Sequence, residues 1–122
     1  MLTGRLAQAV ITPDSFKRAY QQYVEAGWGA LYFPPEFGGG GFPLLVANAF
    51  KEMLTSANMA FSLAPLLTTG AVVDLLVHGS DELKQTYLPK LITGEWAGTM
   101  NLSEPQAGSD VGALTTKAIP QD

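Results

Sequence analysis

Asn101-Leu102-Ser103-Glu104-Pro105-Gln106-Ala107-Gly108-Ser109-Asp110 places an alternating run, a proline and a glycine turn side by side. Across residues 96–103 the side chains alternate. Met100 and Leu102 fall on one face and Thr99, Asn101 and Ser103 on the other, the two-residue period of a strand. Pro105 has no N–H to give a ladder, so the strand is expected to end near Glu104. Ala107 to Asp110 then reads as a turn of short side chains. Gly108 is expected to allow a positive φ and a close backbone approach, and Asp110 to bond nearby backbone amides. Such a turn can offer N–H groups and a hydroxyl to an anion or a carbonyl. An ordinary strand exit would show the same pattern.

Upstream of this stretch the pattern is helical. Ser80 is an N-cap followed by Asp81 and Glu82 in the positive first turn. Leu83, Tyr87, Leu88 and Leu91 are expected to face inward, Pro89 to kink or restart the helix after Leu88, and Gly94 to end it. Before it, Thr68 or Thr69 opens a helix to Val77 that is apolar nearly all round, the mark of a central, buried element. His78 ends that helix, where positive charge is favourable, and Gly79 caps it; a general-base role for His78 would need a partner and a pocket. Residues 58–65 read as a short apolar segment on their own. Pro43 opens a further helix with Val46, Ala49, Phe50, Met53 and Leu54 on its apolar face.

Residues 27–41 form the longest loop, with Pro34-Pro35 and a run of glycines from Gly38 to Gly41. The glycines could cradle a phosphate, but no Lys-Ser or Lys-Thr follows them, so a conformationally demanding surface loop is the simpler reading. Thr12 as N-cap, Pro13 and Asp14 start an amphipathic helix whose stripe is Phe16, Ala19, Tyr20, Tyr23 and Val24, expected in the core, with Gly27 at its end. Residues 1–11, with Leu2, Leu6, Val10 and Ile11, are either a short helix or a frayed leader.

Composition narrows the function classes. The chain has 122 residues, 47% of them hydrophobic, enough for one domain with a real core. Lys and Arg total 7 against 11 Asp and Glu, which argues against a nucleic-acid partner. There is no cysteine, hence no disulfide or thiolate metal site, and His78 is the single histidine. Residues 53–73 are nearly uncharged, but Asn58, Pro65 and Gly70 interrupt them, so no membrane span is expected. With no signal pattern at the N-terminus, a cytoplasmic location is the expectation.

The run from Leu102 to Asp110 resembles the signature of the acyl-CoA dehydrogenases: aliphatic, Ser/Thr, Glu, two variable positions, a small residue, Gly, Ser/Thr and Asp. Only the position before it departs, with Asn101 where Gly, Ala or Cys is usual. Pro35-Glu36-Phe37-Gly38-Gly39 is similar to a connecting loop of the same family. Residues 98–118 look most like the branch that includes methylmercaptopropionyl-CoA dehydrogenases. The resemblance covers roughly residues 14–118 and implies an all-α fold: the family's N-terminal helical bundle over residues 1–95, then a short C-terminal strand opening a truncated β-domain over residues 96–122.

It also implies chemistry. Family members abstract a proton α to a thioester carbonyl and pass the β-hydride to FAD. Carried over by position, Met100, Leu102 and Ser103 match strand residues that touch the isoalloxazine ring, with the Ser103 hydroxyl near N5. Gly108 and Ser109 match the turn that meets the flavin pyrophosphate, and Ser109 also the acyl-CoA substrate; Asp110 matches a structural position. The family's catalytic carboxylate belongs to a later domain, so no catalytic residue is expected here, and Glu104 is read as holding the turn. The expectation is therefore an inactive N-terminal fragment that does not retain FAD alone. The longer enzyme would be a homo-oligomer that reduces electron-transferring flavoprotein. An acyl-CoA oxidase-type flavoprotein and a non-catalytic helical interaction module are the alternatives.

Overall fold

The computed structural model describes residues 12–120. The undecided segment of residues 1–11 lies outside the described residues. Four helices follow one another: α1 (Asp14–Glu25), α2 (Leu44–Ala57), α3 (Met59–His78) and α4 (Asp81–Thr93). Short 3-10 turns lie at Trp28–Ala30, Pro35–Phe37 and Val111–Ala113. The architecture is the expected all-α bundle. The C-terminal strand is not there: no strand occurs among the described residues, and residues 97–103 carry no ladder. A strand exists only when a neighbouring backbone pairs with it, and no described residue offers one. The single pairing nearby is an antiparallel bridge between Glu104 and Ala107, which closes the turn at Pro105.

Helix boundaries follow local chemistry, with corrections. Pro13, not Thr12, occupies the N-cap position of α1; its carbonyl accepts from the Phe16 and Lys17 amides at 2.9 and 3.3 Å, and no side chain caps. Pro13 itself has the non-helical ψ of 145° that an N-cap requires, which makes Asp14 the first helical residue and leaves Thr12 one position too early to cap. Gly27 adopts the left-handed φ of 70° that terminates α1, as expected. Asn58 is the junction that sequence reading missed. It ends α2, and its side-chain oxygen accepts from the Phe61 amide at 3.0 Å to start α3. The separate apolar segment and helix expected over residues 58–77 are therefore one helix of 20 residues running through Pro65. Pro89 likewise lies inside an unbroken α4 rather than breaking it. Its missing N–H leaves the carbonyl of exposed Gln85 to water, and the Thr93 hydroxyl bonds the Pro89 carbonyl at 2.8 Å. Ser80 caps α4 through the Leu83 amide at 3.3 Å, and Gly94 ends it at φ 81°. Gly79 follows α3 in extended backbone; a Cβ there would lie 2.6 Å from the Leu75 carbonyl oxygen. His78 is exposed at the helix end.

The core is Ala30, Phe33, Phe37, Val72, Leu88, Leu91 and Ile92. Three of these come from residues 27–41, so the loop expected on the surface is a core element instead. Its glycine amides are used internally: Gly39 donates to Pro34, Gly40 to Ala30 and Gly41 to Phe33, at 3.0, 2.8 and 3.0 Å. No free amide remains on these glycines to cradle a phosphate. The inward faces also differ from expectation. In α4, Leu83 and Tyr87 are exposed while Leu88, Leu91 and Ile92 are buried. In α2, Ala47 is buried and Phe50 and Leu54 are half-buried, whereas Val46, Ala49 and Met53 are exposed. The stripe of α1 is only half-buried, at Phe16, Tyr20, Tyr23 and Val24, and Ala19 is exposed rather than in the core; Phe16 and Tyr23 lie 5.3 and 5.8 Å from Phe61, ring centre to ring centre. Burial, helped by the charges of Tyr20 and Tyr32, pushes the Tyr23 hydroxyl up to about 12, so it stays neutral near neutral pH.

α3 is long and apolar enough, by length and composition, to cross a membrane, with mean hydropathy 1.8 over its most apolar window. Asn58 does interrupt the stretch of residues 53–73, as the junction between α2 and α3, but Pro65 and Gly70 lie inside α3 without breaking it. A central bundle helix meets the same criteria, and α3 packs on both α2 and α4. It is nevertheless far from fully covered. Phe61, Ser62 and Val72 are buried, while Leu63, Val73 and Val77 are exposed, because α2 and α4 cover only part of its circumference.

Candidate functional site

The C-terminal segment is fastened to the bundle before it leaves it. The Trp96 amide donates to the Lys90 carbonyl at 3.0 Å. The Lys90 ammonium sits 4.3 Å from the centre of the Trp96 ring and 3.5 Å from Glu95, and the Tyr87 ring lies 6.0 Å from the indole, centre to centre. Two residues on, the Gly98 amide donates to the Thr68 hydroxyl of α3 at 3.1 Å. The approach is close: a Cβ on Gly98 would stand 2.7 Å from the Ala71 Cβ and 3.2 Å from the Thr68 Cα. Sequence reading missed Thr68 as an anchor; a hydroxyl in an otherwise apolar helix was the available signal.

Beyond Gly98 the residues singled out from sequence come to the surface. Met100, Leu102 and Ser103 are all exposed, and so are Gly108 and Ser109. The two groups flank the Glu104–Ala107 bridge, whose Ala107 side chain is buried. The backbone amides of residues 99–103 have no partner among the described residues, nor has the Ser103 hydroxyl. Gly108 departs from expectation twice. Its φ is not in the left-handed region, and a Cβ added to it would meet nothing within 4 Å. Nothing within the described chain therefore requires glycine there. Asp110 also differs: its backbone carbonyl, not its side chain, closes the Val111–Ala113 turn by accepting from the Ala113 amide at 3.2 Å.

Glu104 is the best-connected side chain of the segment. One carboxylate oxygen accepts from the Thr116 amide at 2.7 Å and from the Thr116 hydroxyl. The other accepts from the Thr115 amide at 3.0 Å, from the Thr115 hydroxyl at 2.8 Å and from the Gln106 amide group. The sequence reading of Glu104 as the holder of the turn was right in kind, though it could not name Thr115 and Thr116. The Thr116 hydroxyl first, then the Thr115 amide and hydroxyl and the Thr116 amide, hold the carboxyl down to about 2. A group so acidic is a poor proton acceptor at neutral pH. Because the folded value lies below the ordinary 4.5, the contribution of these bonds is present above about pH 4.5 and fades as pH falls toward about 2. Acid titration of the chain followed at the Glu104 carboxyl carbon should give a midpoint near 2. A midpoint at the ordinary carboxylate value would mean the bonds do not form in solution.

Among the described residues no three His, Asp or Glu side chains gather into a group able to hold a metal. An aromatic cleft of about 480 Å³ opens between α1, α2 and α3, with Trp28 and Phe50 stacked 4.5 Å apart on its wall. None of Met100, Leu102, Ser103, Gly108 or Ser109 lines it.

Residues 5–95 match the family described as "Acyl-CoA dehydrogenase, N-terminal domain". Curated relatives agree. A 3-methylmercaptopropionyl-CoA dehydrogenase of Ruegeria pomeroyi is 52% identical over 113 residues, 93% of this chain and 19% of the relative. A butyryl-CoA dehydrogenase of Syntrophomonas wolfei is 44% identical over 98% of this chain and 19% of its own length, a span that takes in residues 101–110. A mitochondrial isovaleryl-CoA dehydrogenase of Pongo abelii is 33% identical over 92% of this chain and 27% of its own length. The chain thus spans about a fifth to a quarter of these relatives.

Proposed function

The chain belongs to the acyl-CoA dehydrogenase family, and we propose that it forms the N-terminal helical part, and one edge of the flavin site, of an FAD-dependent enzyme that desaturates an acyl-CoA thioester. The observation that carries this reading is the exposed segment from Thr99 to Asp110. Its amides at residues 99–103 lack partners among the described residues, and Gly108 stands in open space there. Those residues fit a flavin edge. Met100 and Leu102 offer apolar surface, Ser103 and Ser109 offer hydroxyls, and Gly108 lets a ligand reach the backbone. Bound FAD would supply the hydride acceptor. The chain's own part is to hold that edge against α3 through Gly98 and Thr68 and to keep Glu104 out of proton chemistry. The uncovered Leu63, Val73 and Val77 of α3 suit a bundle that packs against further protein. The proton acceptor, electron-transferring flavoprotein as electron acceptor, and assembly into a homo-oligomer belong to the same proposal for the longer enzyme.

A chimera tests it: this chain replacing the corresponding segment of the Ruegeria pomeroyi relative. The chimera should bind FAD and oxidise the acyl-CoA after which that relative is named. A chimera that folds yet binds no flavin overturns the proposal. Within it, Ser103→Ala removes one neutral hydrogen bond to the cofactor and should weaken FAD binding by about 0.5–1.5 kcal/mol. The melting temperature of the flavin-free chimera should not move, because Ser103 is exposed and lies outside the bundle. A lowered melting temperature with unchanged FAD affinity would assign Ser103 a purely structural role.

A further inference from the structure

We infer that Glu104 is a positioning residue: by gripping Thr115 and Thr116 it closes residues 104–116 into a loop of fixed shape and so sets how the tip at Gly108 and Ser109 is presented. The grip is made across a sequence separation of 11 and 12 residues, between stretches that share no ladder. It gathers five donors from three residues: two amides and two hydroxyls from Thr115 and Thr116, and the Gln106 side-chain amide. Gln106 also donates to the Thr115 hydroxyl at 3.1 Å, tying the two ends a second time. Closing a loop of this length costs chain entropy, and hydrogen bonds to an ionised carboxylate are strong enough to offset it. The loop contributes little else to its own shape. Ala107 is its single buried side chain, the Glu104–Ala107 bridge closes only the turn at Pro105, and the Val111–Ala113 turn is held by backbone bonds alone. Between the bridge and that turn lie Gly108 and Ser109, exposed and with no backbone hydrogen bond among the described residues to hold them. Their direction is therefore inherited from the grip at the loop's base.

The residue types are specific for this task. A carboxylate presents two oxygens and no proton, so it can accept from both threonine amides together. Glutamine presents one oxygen and one amide group, and the latter would face a donor. Aspartate keeps the charge but is one methylene shorter and cannot reach both threonines. If charge alone mattered, aspartate would serve.

The inference about the grip stands on geometry, and its bearing on FAD rests on the proposed function. Two arms keep them apart. In the chain itself, amide exchange at Thr115 and Thr116 should quicken at least tenfold in Glu104→Gln, and exchange at α3 and α4 should not change. Unchanged exchange at Thr115 and Thr116 overturns the inference, whatever the flavin does. In the flavinated chimera, Glu104→Gln and Glu104→Asp should each weaken FAD binding at least tenfold and shift the flavin's visible absorption, with the melting temperature of the flavin-free chimera unchanged. Loss of amide protection with the flavin spectrum and affinity unaltered, or full rescue by aspartate, also overturns it. A wild-type chimera that binds no flavin sinks the proposed function alone and leaves the exchange arm to decide the grip.

Discussion

Leu88→Ala should destabilise the bundle by about 2–5 kcal/mol, the cost of lost transfer energy plus an unfilled cavity. Leu88 and Val72 are both 0% exposed, and they place α4 and α3 in one continuous cluster with Phe33 and Phe37. Around Leu88 little can collapse into the space. Phe33 and Phe37 are held by a loop whose glycine amides are bonded at about 3 Å, and Val72 is fixed in the middle of a helix of 20 residues. The upper half of the range is therefore expected. Leu76, one turn along α3 from Val72, makes the comparison. It packs against the cluster but is only half-buried, so Leu76→Ala should cost clearly less. Urea unfolding of both variants, followed by helical circular dichroism, measures the difference. Equal losses, or a Leu88→Ala loss under about 1 kcal/mol, would place the core elsewhere.

Much of this bundle was legible. Ser80, Gly27 and Gly94 marked helix ends through chemistry that acts within a turn, and each sits where its capping role requires. The errors share a cause: they concern what lies across from a residue, not what lies beside it. Pro65 and Pro89 read as breaks because proline removes a ladder bond, yet both lie inside unbroken helices whose flanking turns outlast one missing bond. The all-apolar character of α3 was correct, but burial also needs neighbours on every side. In the C-terminal segment the alternation from Met100 to Ser103 suits a strand, and the missing term is a partner backbone. Glu104 was read as the holder of its turn from its place beside Pro105. Its true partners, Thr115 and Thr116, could be found only once the chain had doubled back.

Gly39→Ala should prevent the bundle from folding or destabilise it by more than about 4 kcal/mol, in the range reserved for substitutions that structure cannot absorb. A Cβ at Gly39 would lie 2.0 Å from the Phe33 carbonyl oxygen and 2.3 Å from its carbon. Neither is a flexible side-chain end. Phe33 is buried, and its carbonyl already accepts from the Gly41 amide at 3.0 Å, so it has no free direction to move. The φ of Gly39 is outside the left-handed region, which means the cost is one of space and not of backbone strain. Gly38 separates those two causes. Its φ is 88°, yet a Cβ there would touch only the Thr93 methyl, at 3.5 Å. Gly38→Ala should therefore cost only about 1–2 kcal/mol, the penalty for a side chain in left-handed backbone. The damage from Gly39→Ala should also spread toward the site. Both 3-10 turns of the loop pack on α4, and α4 carries the Lys90 that anchors Trp96 at the root of the C-terminal segment. Loss of indole fluorescence anisotropy in step with helical signal would report both events together. A Gly39→Ala chain that melts like Gly38→Ala would show that the loop does not cross itself as described.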